Sequence, residues 1–238
     1  MFFDKANNVL YVSNIDGKEP WGADGKGSIG KVGLDGKIIT AEWVSGLDAP
    51  KGIGMYDGKL YVADLTNLVI IDIKAGKIDK KVPIAGSKGL NDVSIDGKGI
   101  VYVTDSEGKK VFRFENGKAE LLLENLKGPN GILTHDGVLY VLDAGGMYKI
   151  NEDKSLTRII DGMEGGTDGI ENIGGSDFIV SCWEGALWYV NAADTTKQLM
   201  LDTRKEKRNT ADIGIDPATK TIYVPTFWKN TVVAYEVK

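Results

Sequence analysis

The 238 residues are 42% hydrophobic and 26% charged, with a formal net charge of −5, an ordinary balance for a globular chain. The acidic balance argues against a nucleic-acid binder, and the densest basic run, Arg204-Lys205-Glu206-Lys207-Arg208, is broken by a glutamate and reads as a solvated loop. The single cysteine, Cys182, excludes a disulfide framework and a cysteine zinc site, and no apolar run approaches the roughly 20 residues that cross a bilayer.

In chain order the strongest strand signals are LYVSN (10–14), LYVAD (60–64), VYVTD (101–105), LYVLD (139–143), FIVSC (178–182) and IYVPT (222–226). Their first residues step by 50, 41, 38, 39 and 44, a period in the range of propeller blades or solenoids. Each is rich in β-branched and aromatic residues and bounded by Gly, Asn or Asp. From the second unit on, each is preceded by a shorter strand and a polar hairpin: GIGMYDGK, DVSIDGKG, GILTHDGV, GIENIGGS and DIGIDPATK. Third strands follow in SIGKVGL, LVIIDIK, KVFRFEN, MYKIN, ALWYVN and TVVAYEV, and fourth strands in all units but the last. Short loops between short strands make antiparallel meanders, and sustained helical periodicity is absent. The expected fold is all-β, a six-bladed β-propeller with four-stranded antiparallel blades forming one domain over 1–238. The last blade should be incomplete, because the chain stops after its third strand. FFDKANNVLYV aligns with GIDPATKTIYV, which puts Met1 inside the first strand of blade 1; a native segment of roughly 10–20 residues is therefore expected upstream.

The residue that leads each first strand forms a column: Lys51, Asn91, Asn130, Asp168 and Ala211. In a propeller the first strands line a central channel, so these residues are expected around one channel mouth. Two carboxamides, a carboxylate and a lysine gathered there would offer oxygen ligands to a hard cation. The alternative is turn chemistry, since Asn, Asp and Gly before a strand are favoured in any propeller. Asp92 and Asp212, one position further on, are expected to point away because side chains alternate along a strand. Asn14, Asp64, Asp105, Asp143, Trp183, Glu184 and Trp228 follow or end second strands and would wall the same pocket. Trp183 and Trp228 would either stack on a sugar ring or cover core. The 15–30 loop would overhang the mouth; its DGKGSI ending lacks the full calcium-loop pattern and reads as a turn. His135, the only histidine, ends a first strand on the far side and is expected to be structural.

GTDGIENIGGSDFIVSCWEGALWYV (166–190), GPNGILTHDGVLYVLD and GLNDVSIDGKGIVYVTDS resemble successive blades of the regucalcin/gluconolactonase (senescence-marker-protein-like) family of six-bladed propellers. The resemblance covers most of the chain and is most specific in the fifth unit. It implies hydrolysis of sugar lactones at one divalent cation, calcium first, with zinc, manganese or magnesium as alternatives. By position it makes Asn130 a metal ligand, Asp168 a metal ligand and general base, and Asn91 a contact to substrate or to a metal-bound water. A glutamate ligand from the first blade has no counterpart in 1–238. Lys51 would pair with a sugar oxygen or a carboxylate, or be solvated, and Trp183 would contact substrate. Streptogramin-lyase-like propellers need a histidine base, which this chain does not offer near the mouth. GLDAPKGIGMYDGKLYVADL resembles an NHL repeat, which keeps open a non-catalytic scaffold that displays a face to a ligand or protein. The expected partner is a small molecule, without nucleic acid or membrane, in cytoplasm, periplasm or export.

Overall fold

The structure, a computed structural model, describes residues 1–16 and 19–237, so the 15–30 loop is described except for residues 17 and 18. These residues gather into two compact units, Met1–Gly128 and Pro129–Lys238. In the first unit one sheet runs β1 (Phe2–Asp4), β2 (Val9–Asn14), β3 (Gly27–Gly33), β4 (Ile38–Leu47). The next runs β5 (Pro50–Tyr56), β6 (Lys59–Asp64), β7 (Asn67–Asp72), β8 (Lys77–Pro83), and the third β9 (Leu90–Ile95), β10 (Val101–Asp105), β11 (Lys110–Glu115), β12 (Lys118–Leu123). The second unit holds β13 (Pro129–His135), β14 (Val138–Asp143), β15 (Gly146–Ile150), β16 (Leu156–Ile160), then β17 (Thr167–Gly174), β18 (Asp177–Cys182), β19 (Ala186–Asn191), β20 (Thr196–Asp202). Its last sheet has three strands, β21 (Gly214–Asp216), β22 (Thr221–Pro225) and β23 (Val232–Glu236). Neighbouring strands are antiparallel throughout, so the fold class is the six-bladed β-propeller expected from the repeats, with its last blade short of one strand. Among the described residues no helix is long and apolar enough to cross a membrane.

Period-two alternation puts apolar side chains on both faces of each blade, and they pack against the next blade within the unit. Val9, Tyr11, Ile29 and Leu47 of the first sheet meet Ile53, Leu60, Val62 and Ile71 of the second. Leu142 and Met147 meet Ile170, Phe178 and Val180, and Ile179 and Leu187 meet Ile213, Ile222 and Val224. Burying each such side chain contributes about 2 kcal/mol.

The aspartates that end second strands are structural. Asp64 is fully buried, and its carboxylate accepts the backbone N–H groups of Asp48 and Ala49, the latter at 2.7 Å. Asp105, also fully buried, accepts from Lys88 at 3.0 Å and from Gly89 and Gly108 at 2.8 Å each. Asp143 is buried as well. The expectation that these carboxylates wall an open pocket is therefore corrected: the charge of each of the first two is met by amides of the loop leading into the blade, and for Asp105 also by Gly108 of the following hairpin.

Candidate functional site

The leading end of a first strand is where the pairing departs from regularity. In the second blade Pro50 pairs with Asp64 and Ile53 with Val62; in the third, Leu90 pairs with Asp105 and Val93 with Val103. In the fourth, Pro129 pairs with Asp143 and Ile132 with Val141, and in the fifth Thr167 pairs with Cys182 and Ile170 with Val180. Each time, two residues of the first strand stand opposite one of the second: a β-bulge. The bulged pairs are Lys51–Gly52, Asn91–Asp92, Asn130–Gly131 and Asp168–Gly169. Simple alternation, the basis for expecting Asp92 to point away from Asn91, does not hold through a bulge, where one residue is re-aimed. The sixth blade differs: β21 begins only at Gly214, and Ala211 is tied to Pro225 through its N–H at 3.0 Å.

Hydroxyl groups and close backbone approach hold the bulges. Ser181 Oγ, opposite the fifth bulge, accepts from Gly169 N–H at 2.8 Å and donates to the Ala211 carbonyl at 2.9 Å. Thr104 Oγ1 accepts from Asp92 N–H at 2.8 Å. Ser13 Oγ donates to the Lys51 carbonyl at 2.5 Å, joining the first and second blades. The second bulge position touches the next blade so closely that a methyl on Gly131 would stand 2.4 Å from the Asp168 carbonyl oxygen. One on Gly169 would stand 2.7 Å from Asp212 Oδ1. Glycine is required at both places because backbone meets backbone.

In the first unit the leading residues are already engaged. Asn91 Nδ2 donates to Ser106 Oγ at 2.9 Å. Lys51 Nζ donates to the Pro20 carbonyl at 2.6 Å and lies 3.9 Å from the centre of the Trp21 ring. The Lys51 ammonium thus clamps the loop after β2 through a carbonyl and an indole face. That loop also carries the DGKGSI turn, in which Asp24 Oδ1 accepts Lys26 N–H at 3.1 Å, as an ordinary turn does.

In the second unit Asn130 and Asp168 lead adjacent first strands. Asp168 is buried, 6% exposed. Asn130 Oδ1 is buried and meets no hydrogen-bond donor among the described residues. A buried acceptor without a donor costs about 1–3 kcal/mol, so the position asks for an electropositive group. Both side chains present hard oxygen, which fits calcium, magnesium or manganese better than a soft metal. Two donors are fewer than calcium's usual six to eight, and among the described residues no group of three or more His, Cys, Asp and Glu could hold a metal.

Two other groups of the fifth blade are shifted by burial. Burial, then the nearby Asp168 charge, pushes the Cys182 thiol up to about 12, so it stays protonated and unreactive. Burial, with Asp212 second, raises the Glu171 carboxyl to about 8, although its side chain keeps some contact with water. Glu171 was missed in the sequence. Its signal is there: three residues after the leading residue the other blades carry Gly54, Ser94, Leu133 and Gly214, none ionisable. Trp183 follows β18 at the same end of the blade as Asp168, its N–H donating to the Gly166 carbonyl at 2.7 Å, and it is 37% exposed. Its edge-on neighbour is Phe227, 5.6 Å between ring centres. His135 ends β13 packed edge-on against Phe178, a structural place as expected.

No family model matches the chain, and no curated protein does. Solved structures do. One from a nidogen/laminin complex matches 96% of this chain and 88% of its own length, with a TM-score of 0.75 at 14% identity. A protein provisionally assigned as a gluconolactonase matches over 88% of this chain and 80% of its own, with a TM-score of 0.71 at 17% identity. Virginiamycin B lyase of Staphylococcus aureus, an inactive variant with quinupristin, matches over 97% and 88%, with a TM-score of 0.68 at 16% identity. At such identities the likeness is one of fold.

Proposed function

We propose that this chain is a divalent-metal-dependent hydrolase of a sugar lactone or related small ester, with Asn130 and Asp168 as metal ligands and Asp168 as general base. The observation that carries it is the buried, donorless Oδ1 of Asn130 in the bulge beside that of Asp168. When bound, the cation supplies a Lewis acid for the ester carbonyl. Asp168 takes a proton from the attacking water as the water oxygen bonds to the carbonyl carbon, then returns it to the ring oxygen as the ring C–O bond breaks. Ser181 and the glycine at 169 hold the Asp168 bulge in shape, and the apolar Ile170 and Cys182 beside it limit access of bulk water. The similarity to the assigned gluconolactonase supports the reading at the level of fold.

Thermal melting with calcium, manganese, zinc and magnesium against a chelator, together with hydrolysis of glucono-δ-lactone, tests it. A cation that binds only the folded chain raises the melting temperature. Asp168→Asn should abolish hydrolysis by about 100-fold or more. A chain that neither melts later with any of the four metals nor opens a lactone would instead favour the non-catalytic scaffold, to which the likeness with the nidogen/laminin structure points.

A further inference from the structure

Within the first unit a groove of about 510 Å³ opens between the first two blades. Its floor is apolar: Val9 and Tyr11 are buried, and Ile39 and Ile73 line it with them. Two lysines join the lining, Lys31 from β3 and Lys74 from the turn between β7 and β8. A distorted outer strand builds the wall on the first-blade side. Lys31 pairs with Thr40 and Val32 with Ile38, so Ile39 is an extra residue, and it stands 60% exposed. Between the pairs Ile29–Val44 and Lys31–Thr40, three residues of β4 stand opposite Gly30 alone. Such bulges bend a strand and re-aim its side chains. The displaced chain crosses β3 closely: a methyl on Gly30 would lie 2.6 Å from the Ala41 carbonyl oxygen, which Asn14 Nδ2 holds at 2.8 Å. Trp43 thereby meets Lys31, whose Nζ lies 3.7 Å from the centre of that indole ring and 5.4 Å from the centre of the Tyr11 ring.

Ring faces attract an ammonium but accept no conventional hydrogen bond, and an ammonium has three N–H donors to place. Among the described residues neither Lys31 nor Lys74 forms a hydrogen bond or an ion pair. Burial holds the Lys31 ammonium below its usual range, against an opposing pull from Asp4. Asp4 is itself buried and engaged: its carboxylate accepts Ala6 N–H at 3.0 Å, Asn7 N–H at 3.2 Å and Asn7 Nδ2 at 2.7 Å. Among the described residues no acidic side chain lines the groove. We propose that the groove binds a small aliphatic carboxylate, its hydrocarbon body on Val9, Ile39 and Ile73 and its head group between Lys31 and Lys74. Charge complementarity selects the head group: two cations face no anion, and on a partly dry wall one negative charge costs less to desolvate than the two of a phosphate. Volume selects the body, because a few hundred Å³ suits a small molecule. The site lies wholly within the first unit and shares no residue with the proposed hydrolase, so neither reading depends on the other.

The test is 19F NMR of the whole chain carrying 5-fluorotryptophan, its resonances assigned by single Trp→Phe replacements, titrated with octanoate. Octanoate has about ten non-hydrogen atoms, so its Kd should be about 1 mM. The Trp43 resonance should shift saturably, while those of Trp21, Trp183, Trp188 and Trp228 stay in place. Two controls divide the ligand: 1-octanol lacks the charge and acetate lacks the body, and each should bind at least about tenfold more weakly. Ile39→Asp, at an exposed position, should weaken octanoate about tenfold or more with the melting temperature unchanged, and Lys74→Met about threefold. Lys31→Met keeps an apolar stem against Trp43 and should weaken it about tenfold; if that variant melts early, the two exposed variants decide. No saturable shift at Trp43, equal binding of 1-octanol, or wild-type affinity in both Ile39→Asp and Lys74→Met overturns the site.

Discussion

Replacing Glu171 by Gln keeps the shape of the side chain and removes its charge, so it isolates the cost of an anion on β17. In the fold the Glu171 carboxyl rises from 4.5 to about 8, chiefly through burial and secondarily through Asp212. Below the ordinary carboxylate range both folded and unfolded chains hold the proton, and wild type and variant match. Between 4.5 and about 8 the unfolded chain gives the proton up while the fold keeps it, so wild-type stability declines as pH rises. Above that window the deficit is complete. At about 1.4 kcal/mol per tenfold change in proton affinity it would reach about 5 kcal/mol, and the water contact that Glu171 keeps brings the expectation to about 2 kcal/mol. Urea midpoints from pH 4 to pH 9, in chelator, measure it. Glu171→Gln should equal wild type at pH 4 and exceed it increasingly from pH 5 to pH 9. Parallel curves over the whole range, or a variant less stable at pH 9, would refute the placement of an enclosed carboxyl beside Asp212.

The bulge glycines make a second test: Gly169→Ala sets a methyl 2.6 Å from Ile213 N and should cost about 3 kcal/mol, whereas Gly117→Ala, left-handed at φ +77 but in open space, should cost about 1 kcal/mol, both read from urea unfolding. Asp105→Ala strands three backbone N–H groups and should cost about 3 kcal/mol or more; Asp105→Asn, which keeps an acceptor oxygen, should cost distinctly less by the same measurement. Lys51→Met removes the clamp on Pro20 and Trp21, and trypsin should then cut at Lys26 about tenfold faster with the global melting temperature little changed.

The blades were legible because their determinants are local. Alternating β-branched and aromatic residues, with DG and GG hairpins between, specify strands and turns without distant partners. Even the shortened last blade could be read from where the strand pattern ends. What resisted reading depends on contacts far along the chain. Lys51 finds its carbonyl 31 residues away, across a loop with no periodic signal. Phe227 is driven to positive φ by a five-residue clamp that no propensity scale anticipates. The bulges were hidden for a different reason: an extra residue leaves composition unchanged and shows only in the pairing, as the offset between Pro129–Asp143 and Ile132–Val141 does.

Asn130 allows the two readings of the leading column, turn chemistry and cation ligand, to be separated. Asn earns a place in turns by tolerating left-handed backbone or by hydrogen-bonding locally. Asn130 is not among the left-handed residues, whereas Asn8, Asn116, Asn125 and Asn230 are, and its Oδ1 accepts nothing within the described chain. A turn residue should lose stability on truncation. A ligand residue whose oxygen awaits a cation should not: Asn130→Ala relieves a buried acceptor worth about 1–3 kcal/mol and forfeits only modest packing. In chelator the variant should therefore melt at or slightly above the wild-type temperature. With calcium or manganese present the order should invert, because the wild type alone gains the linkage stabilisation. A variant that is destabilised by more than 1 kcal/mol in chelator, and equally so with metal, would return Asn130 to turn chemistry.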